Sequence, residues 1–413
     1  MAICKQNYYK NSLIIEDIRT NTPYYHPGVF DFPNLPYDLP MISLFTGAGG
    51  LDLGLERAGF STRAYVENNK YCIETIKINR KEWRLVGNGD ITKTNSKEIL
   101  KTAGLKIGEA ALLAGGAPCQ PFSSLGKNEG DSVSNGKLYK YFIQMVKEIQ
   151  PVTFIFENVR GMVQNHKKVI EFMEQEFGKS GYGISIALIC AADYGVPQKR
   201  YRVFIIGRRD GKKPGFPFPT HAENPESSLK YFNTLCALKG VPFPYQKLKK
   251  WVTVGEVFSR LTKEHYNRKD NFYAQLSPKI VEMISYIKPK TKMCWADLPD
   301  DLKFNCWKKG KFQGRDNFSR LQYNEPSVTI RTGAIYPAKG KYIHPELNRG
   351  LSTIEMAALQ SFPLNPGNEG WHFYGGILNV ARQIGNAVPP LLAEAIGHAL
   401  KQQVLEIING AGC

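Results

Sequence analysis

Residues 41–60 read MISLFTGAGGLDLGLERAGF. A short apolar run, Met41–Phe45, stops at a glycine-rich turn, Thr46–Gly50, and apolar residues then recur at helical spacing over Leu51–Ala58. Glycines at such a turn let the backbone approach a ligand closely and leave N–H groups free to meet it. No lysine of the phosphate-clamping kind follows them, which disfavours a P-loop. The next strand ends at Val66–Glu67, and an acid there can accept hydrogen bonds from ribose hydroxyls. On these residues alone NAD, FAD and S-adenosylmethionine all remain open, and a tight turn with no ligand gives the same pattern.

Outward from this unit the texture repeats. Apolar runs at Arg63–Val66, Ala110–Ala114, Val152–Phe156 and Arg202–Ile206 alternate with helical stretches such as Tyr71–Asn79 and Leu138–Ile149. Strands alternating with helices predict an α/β fold with a doubly wound, mostly parallel sheet. Residues 1–40, polar and then rich in Tyr and Pro, read as an extended N-terminal arm. From Arg209 to Gly350 the alternation stops, and 26 Lys and Arg stand against 13 Asp and Glu. That stretch holds +13 of the chain's net +17, so the basic excess is local and predicts a second, irregular module for a polyanion. Its cations are interleaved with aromatics in YQKLKKW and KFNCWKKGKFQGR; a solvated Lys-rich insertion is the bland alternative.

Across 413 residues, 42% hydrophobic, there is enough apolar material for two domains or one interrupted core, and wholesale disorder is excluded. Eight cysteines without a CxxC pair read as a reduced, intracellular chain with no zinc knuckle, and no metal is expected. The opening MAICKQNYYKNS lacks the apolar stretch of an export signal, and no run approaches a membrane span. A soluble, cytosolic protein is expected.

Four further motifs carry chemistry. In ALLAGGAPCQPFSS (111–124) a buried strand ends in two glycines, and Cys119 lies between prolines that stiffen its loop. In PVTFIFENV (151–159) an apolar strand delivers Glu157 and Asn158 at its end, where poor solvation should raise a carboxyl pKa toward proton donation. In YGVPQKRYRVFIIG (194–207) an extended chain would put Gln198, Arg200 and Arg202 on one face. Asp90, in GNGDI with Ile91 after it, also follows an apolar run. Each has an inert reading by itself: a packed cysteine, a helix-capping acid, a solvated edge. Yet Gly47, Glu67, Asp90, Cys119 and Glu157 all follow apolar runs, and in a parallel sheet such positions converge on one crevice.

The ordered set FTGAGG, Glu67, GDI, GGAPCQPFS, ENV, QKRYR, RGLSTIEMAALQSFP and QIGNAVPP resembles the DNA (cytosine-5)-methyltransferases of bacterial restriction–modification systems. The resemblance spans the chain beyond its arm, apart from the segment that varies within that family. It implies a Rossmann-like S-adenosylmethionine-dependent fold and methyl transfer to C5 of a cytosine flipped out of duplex DNA. By resemblance Cys119 is the nucleophile toward C6 and Glu157 the acid at N3. Arg202, supported by Arg200, fixes the ring carbonyl. The cofactor positions would be Phe45, Gly47, Gly49, Glu67, Asp90, Ile91, Pro118, Leu138, Asn386 and Val388.

The same resemblance divides the chain into a catalytic and cofactor-binding domain (41–208 plus 376–413) and a target-recognition domain (209–375). It also has the last helix, Pro389–Leu400, return to the first domain. Ser352 and Glu355 form a capping box for a helix through Gln360. Candidate base readers are Arg315, Asn317, Ser319 and Thr332. A monomer is expected, linked to a cognate restriction endonuclease only through the genetic system, and a tRNA methyltransferase of the same chemistry is the alternative. Ser43, Asn135 and Ile354 depart from the residues usual at their positions.

Overall fold

A computed structural model describes residues 38–118, 138–238, 243–308, 314, 317–365 and 370–410. Residues 1–37 of the expected arm, Cys119, Asn135 and Arg315 lie outside the described residues. Two compact units are present, one formed by 38–194, 201–250 and 390–410, the other by 195–200 and 251–389.

The first unit is built on a seven-stranded sheet. Its strands are β1 (Pro40–Leu44), β2 (Ser61–Val66), β3 (Arg84–Leu85), β4 (Leu112–Gly115), β5 (Thr153–Val159), β6 (Gly183–Cys190) and β8 (Tyr201–Arg208); β7 (Gln198–Lys199) belongs to the second unit. The order is β3-β2-β1-β4-β5-β8-β6. β1 pairs in parallel with β2 on one side and β4 on the other, so the winding reverses there, and the crevice beyond the strand ends at such a reversal is where open α/β sheets bind ligands. Five expected strands are present within one to three residues at their ends. β3 and β6 were not anticipated, and β8 runs antiparallel to both neighbours. The reason is the short connection: only a 3-10 turn, Ala191–Tyr194, and a few further residues separate β6 from β8, too little for a parallel crossover.

The sheet is buried by aromatic packing. Phe142, from the helix Leu138–Ile149, meets Phe156 of β5 with ring centroids 5.0 Å apart, and Phe154 meets Phe177 of the helix Lys167–Lys179 at 4.3 Å. Gly207 on β8, directly opposite Phe154, leaves room for that ring, since a Cβ there would lie 2.2 Å from it. The last helix, Pro390–Gly410, packs on the helix Gly50–Arg57 that follows the glycine turn. Contact is backbone-close because Gly54 and Gly397 lack side chains; a Cβ on Gly54 would lie 2.3 Å from the Pro390 carbonyl.

A small lobe extends this unit. β9 (His221–Ala222) pairs with β10 (Lys249–Lys250), and the helix Pro225–Leu238 lies between them in sequence, over a core that includes Phe218, Phe232, Cys236 and Leu248. The stretch 209–375, read from sequence as one module, therefore spans both units: 209–250 is in the first and 251–375 in the second.

Among the described residues, the second unit consists of short helices and one two-stranded ladder, β7 with β11 (Ser327–Val328). Its core gathers Met283, Ile284, Ile287, Trp307, Phe318 and Ile343. Buried Arg320 lies beside this core and donates to the carbonyls of Ile284, Ile287, His344 and Leu347, adding side-chain donors at the end of the helix Pro278–Tyr286, where the Ile287 N–H also donates to the Ile284 carbonyl. The helix Thr353–Leu359 opens with the expected reciprocal capping box of Ser352 and Glu355. No helix among the described residues is long and apolar enough to cross a membrane.

Candidate active site

The glycine turn leaves β1 in an uncommon conformation. Phe45 (φ 56°), Gly47 (φ 59°) and Gly49 (φ 77°) all have left-handed backbones, and for Phe45, which carries a Cβ, this is a local strain. The turn is braced from the neighbouring strand. The Gly47 N–H donates to Glu67 Oε2 at 2.7 Å, the Asn69 N–H to Glu67 Oε1 at 2.7 Å, and the Thr46 N–H to the Val66 carbonyl at 3.3 Å. Glu67 is thus held rigidly, with its remaining lone pairs available to a ligand. Burial raises its pKa, while the backbone donors at Asn69 and Gly47 act in the opposite sense. A Cβ on Gly47 would meet nothing within 4 Å, so the inside of the turn is open.

Asp90 lies one residue after Gly89, which must be glycine: φ is 81° and a Cβ would fall 1.9 Å from the Glu67 carbonyl. The Asp90 carboxylate accepts from the Thr92 N–H at 3.0 Å and hydroxyl at 2.7 Å, and the hydroxyl leads in holding its pKa below the ordinary value. Ile91 is buried beside it. Leu138 opens its helix half-buried against the sheet core, and Pro118 is exposed at the end of the described β4 segment.

The ends of β4 and β5 form the second cluster. Glu157 is on β5 opposite Phe204, and Arg202, two residues before Phe204 on β8, shares its face. Arg202 Nε lies 2.8 Å from Glu157 Oε1, both side chains being nearly buried, so the poorly solvated carboxylate also has a fixed cationic partner that the sequence did not disclose. Glu157 also stands against β4: a Cβ on Gly116 would lie 2.8 Å from Glu157 Oε2. Gly115 makes the matching approach to β1, where a Cβ would lie 2.6 Å from the Leu44 carbonyl. The buried Asn158 amide donates to the Ala117 carbonyl at 3.3 Å, tying the segment that leads to Cys119 onto β5. Gly116 and Asn158 were given no task by sequence reasoning. The signal was the glycine pair itself, which closes a strand on both sides only where neighbours press against it.

The three donors of QKRYR have separate partners. Only Arg202 belongs to the first unit. In the second, Gln198 donates to Gln360 Oε1 at 2.5 Å and accepts from the Ile330 N–H at 2.8 Å. Fully buried Arg200 donates to the carbonyls of Ile330 (2.9 Å), Gly385 (2.9 Å) and Ala387 (3.0 Å). Its last two acceptors flank Asn386, which is exposed at the end of the helix Ile377–Asn386; Val388 is buried. Of the candidate readers, Thr332 is exposed, Asn317 half-buried and Ser319 buried. Ser43 is hydrogen-bonded to Thr46 at 2.9 Å, and Ile354 is buried within its helix.

Residues 39–402 match the family described as C-5 cytosine-specific DNA methylase. The Type II methyltransferase M.Sau96I of Staphylococcus aureus is 33% identical over 371 residues, covering 88% of this chain and 76% of that protein. The Type II methyltransferase M1.HphI of Haemophilus parahaemolyticus is 33% identical over 366 residues, covering 88% and 86%. Among solved structures, a prophage-encoded Escherichia coli protein described as a DNA modification methyltransferase aligns with a TM-score of 0.58 at 25% identity, covering 88% of this chain and 99% of that one.

Proposed function

The chain belongs to the C-5 cytosine-specific DNA methylase family, and from that premise we propose that it modifies a specific cytosine in duplex DNA, as the methyltransferase half of a restriction–modification system. The observation that carries the site assignment is the Glu157–Arg202 pair, pressed against Gly116 three residues before Cys119. A carboxyl group fixed against the segment that leads in sequence to a potential nucleophile suits covalent addition to a pyrimidine ring.

S-Adenosylmethionine, which the family and fold imply, fits the residues present: the inside of the turn is open at Gly47, and Glu67 is presented with both oxygens anchored. Phe45, Gly47, Gly49, Glu67, Asp90 and Ile91 would hold it, with Pro118 and Leu138 as further contacts; Asn386 and Val388, in the second unit, are cofactor positions by resemblance alone. When bound, it supplies an electrophilic methyl group. The Cys119 thiolate forms a bond to C6 of the cytosine, and the electron pair released into the ring is answered at N3 by a proton held by Glu157. Arg202 keeps the Glu157 carboxyl group oriented and fixes the ring carbonyl. C5, made nucleophilic by the addition, takes the methyl group. A base, for which a water suffices, then takes the C5 proton; the freed electron pair forms the C5–C6 double bond and expels the Cys119 thiolate, and the N3 proton returns to Glu157, which restores the aromatic ring. Arg200 is a positioning residue, acting through the carbonyls on either side of Asn386. The reaction runs in a monomer, in the compartment that holds the DNA.

The test is transfer of labelled methyl groups to duplex DNA, with conversion sequencing to locate the modified cytosine. Wild-type protein should label duplex DNA and Cys119→Ala should not. Transfer to tRNA alone would replace this reading with that of an RNA methyltransferase.

A further inference from the structure

The basic excess that suggested a polyanionic partner is not confined to the second unit. Residues 209–250, in the first unit, carry eight Lys and Arg against three Asp and Glu, which is +5 of the +13. Part of that charge sits on the β9–β10 lobe. Lys247 and Lys249 are exposed on either side of buried Leu248, whose side chain anchors the segment in the lobe's aromatic core. Lys249 lies opposite His221 in the ladder register, and its N–H is fixed by the Thr220 carbonyl at 3.0 Å. Lys250 follows, also exposed. None of these three lysines forms an ion pair among the described residues.

We propose that this lobe is a second DNA-binding surface, in which Lys247 and Lys249 grip the phosphate backbone from the first unit, whereas the candidate base readers belong to the second. This rests on duplex DNA being the substrate and adds where the duplex is held. The lysines stand on a small ladder backed by a packed core, so the chain is already ordered there and little backbone freedom is lost on binding. Three cations in four residues, unneutralised by acids, complement a polymer bearing a charge every ~1.7 Å of its axis. A surface of this kind gives affinity without sequence preference.

The experiment is the salt dependence of binding of the full chain to a mixed-sequence duplex. Every lysine withdrawn from a phosphate should reduce the slope of log affinity against log salt by about 0.9, so K247A/K249A should lower it by about 2. The control K167A/K168A removes equal charge from the exposed start of the helix Lys167–Lys179 and should keep the wild-type slope. K247R/K249R should restore the slope, which loss of folding would not. Equal slopes for the two alanine pairs overturn the proposal. That result is separable from failure of the functional reading, in which the wild type transfers no methyl group to DNA at all.

Discussion

Glu157 and Arg202 form a diagonal ion pair across β5 and β8, with Arg202 Nε 2.8 Å from Glu157 Oε1. Because each orients the other, they should behave as one unit. Glu157→Gln should lower methyl transfer by on the order of 10²-fold or more, the usual contribution of a positioned general acid, with DNA binding retained. Arg202→Ala leaves a nearly buried carboxylate without its cation and should cost a comparable factor. The double variant should be little worse than the poorer single one, as initial rates of label transfer will show. Simple multiplication of the two losses would mean that the residues work independently.

Arg200 should respond differently. Its guanidinium is fully buried, and removing it takes the donor from the carbonyls of Ile330 and Gly385, while the Ala387 carbonyl keeps the Gln360 amide. Each unsatisfied group costs about 1–3 kcal/mol, so Arg200→Ala should lose several kcal/mol in denaturant unfolding. If Arg200 acts by setting the loop around Asn386, Arg200→Lys should raise the KM for S-adenosylmethionine more than it lowers kcat. A pure kcat loss would place Arg200 in the chemistry instead.

Much of this was legible in the sequence, and the part that was not has physical causes. The parallel half of the sheet could be read because each strand is a short apolar run ending at a turn and followed by a helical period. GISIALIC, which forms β6, also ends at a turn but no helical period follows it, and its antiparallel pairing with β8 depends on a connection whose length matters more than its composition. The residue types at the site were visible, but their partners were not. Alternation along QKRYR suggested one shared face, whereas Gln198 and Arg200 spend their donors on groups within the second unit and Arg202 meets Glu157. Which buried acceptor a donor finds is decided by tertiary packing, and no period in the sequence encodes it.

The crossing of the helices Gly50–Arg57 and Pro390–Gly410 depends on missing side chains. Gly54→Ala places a methyl group 2.3 Å from the Pro390 carbonyl and 2.5 Å from Ala393 Cβ, and backbone cannot step aside cheaply. Overpacking of this kind costs about 1–3 kcal/mol. Gly178→Ala is the matched opposite: the glycine is exposed in the helix Lys167–Lys179, with nothing within 4 Å of the added carbon. It should gain about 0.5–1 kcal/mol from helix propensity. Thermal unfolding of the two variants should therefore shift in opposite directions.

Asp52 makes a pH-dependent contribution that can be signed. It is fully buried in the first turn after the glycine turn, and neither oxygen has a well-formed hydrogen bond among the described residues. Burial pushes its pKa from 3.8 up to about 7; the nearby Ser43 hydroxyl pulls the other way, while Glu56 and Glu67 add to the rise. The folded protein therefore holds this proton more tightly than the unfolded chain, so stability falls as pH rises from about 4 through 7. The cost is on the order of 4 kcal/mol at pH 8 and about 2 kcal/mol at pH 5. Asp52→Asn, which keeps the shape and cannot ionise, should be more stable than wild type at pH 8, and that advantage should shrink by roughly half at pH 5. Denaturant unfolding of both proteins across this range measures the difference directly. A gap that stays constant with pH would mean that Asp52 does not titrate in the folded protein.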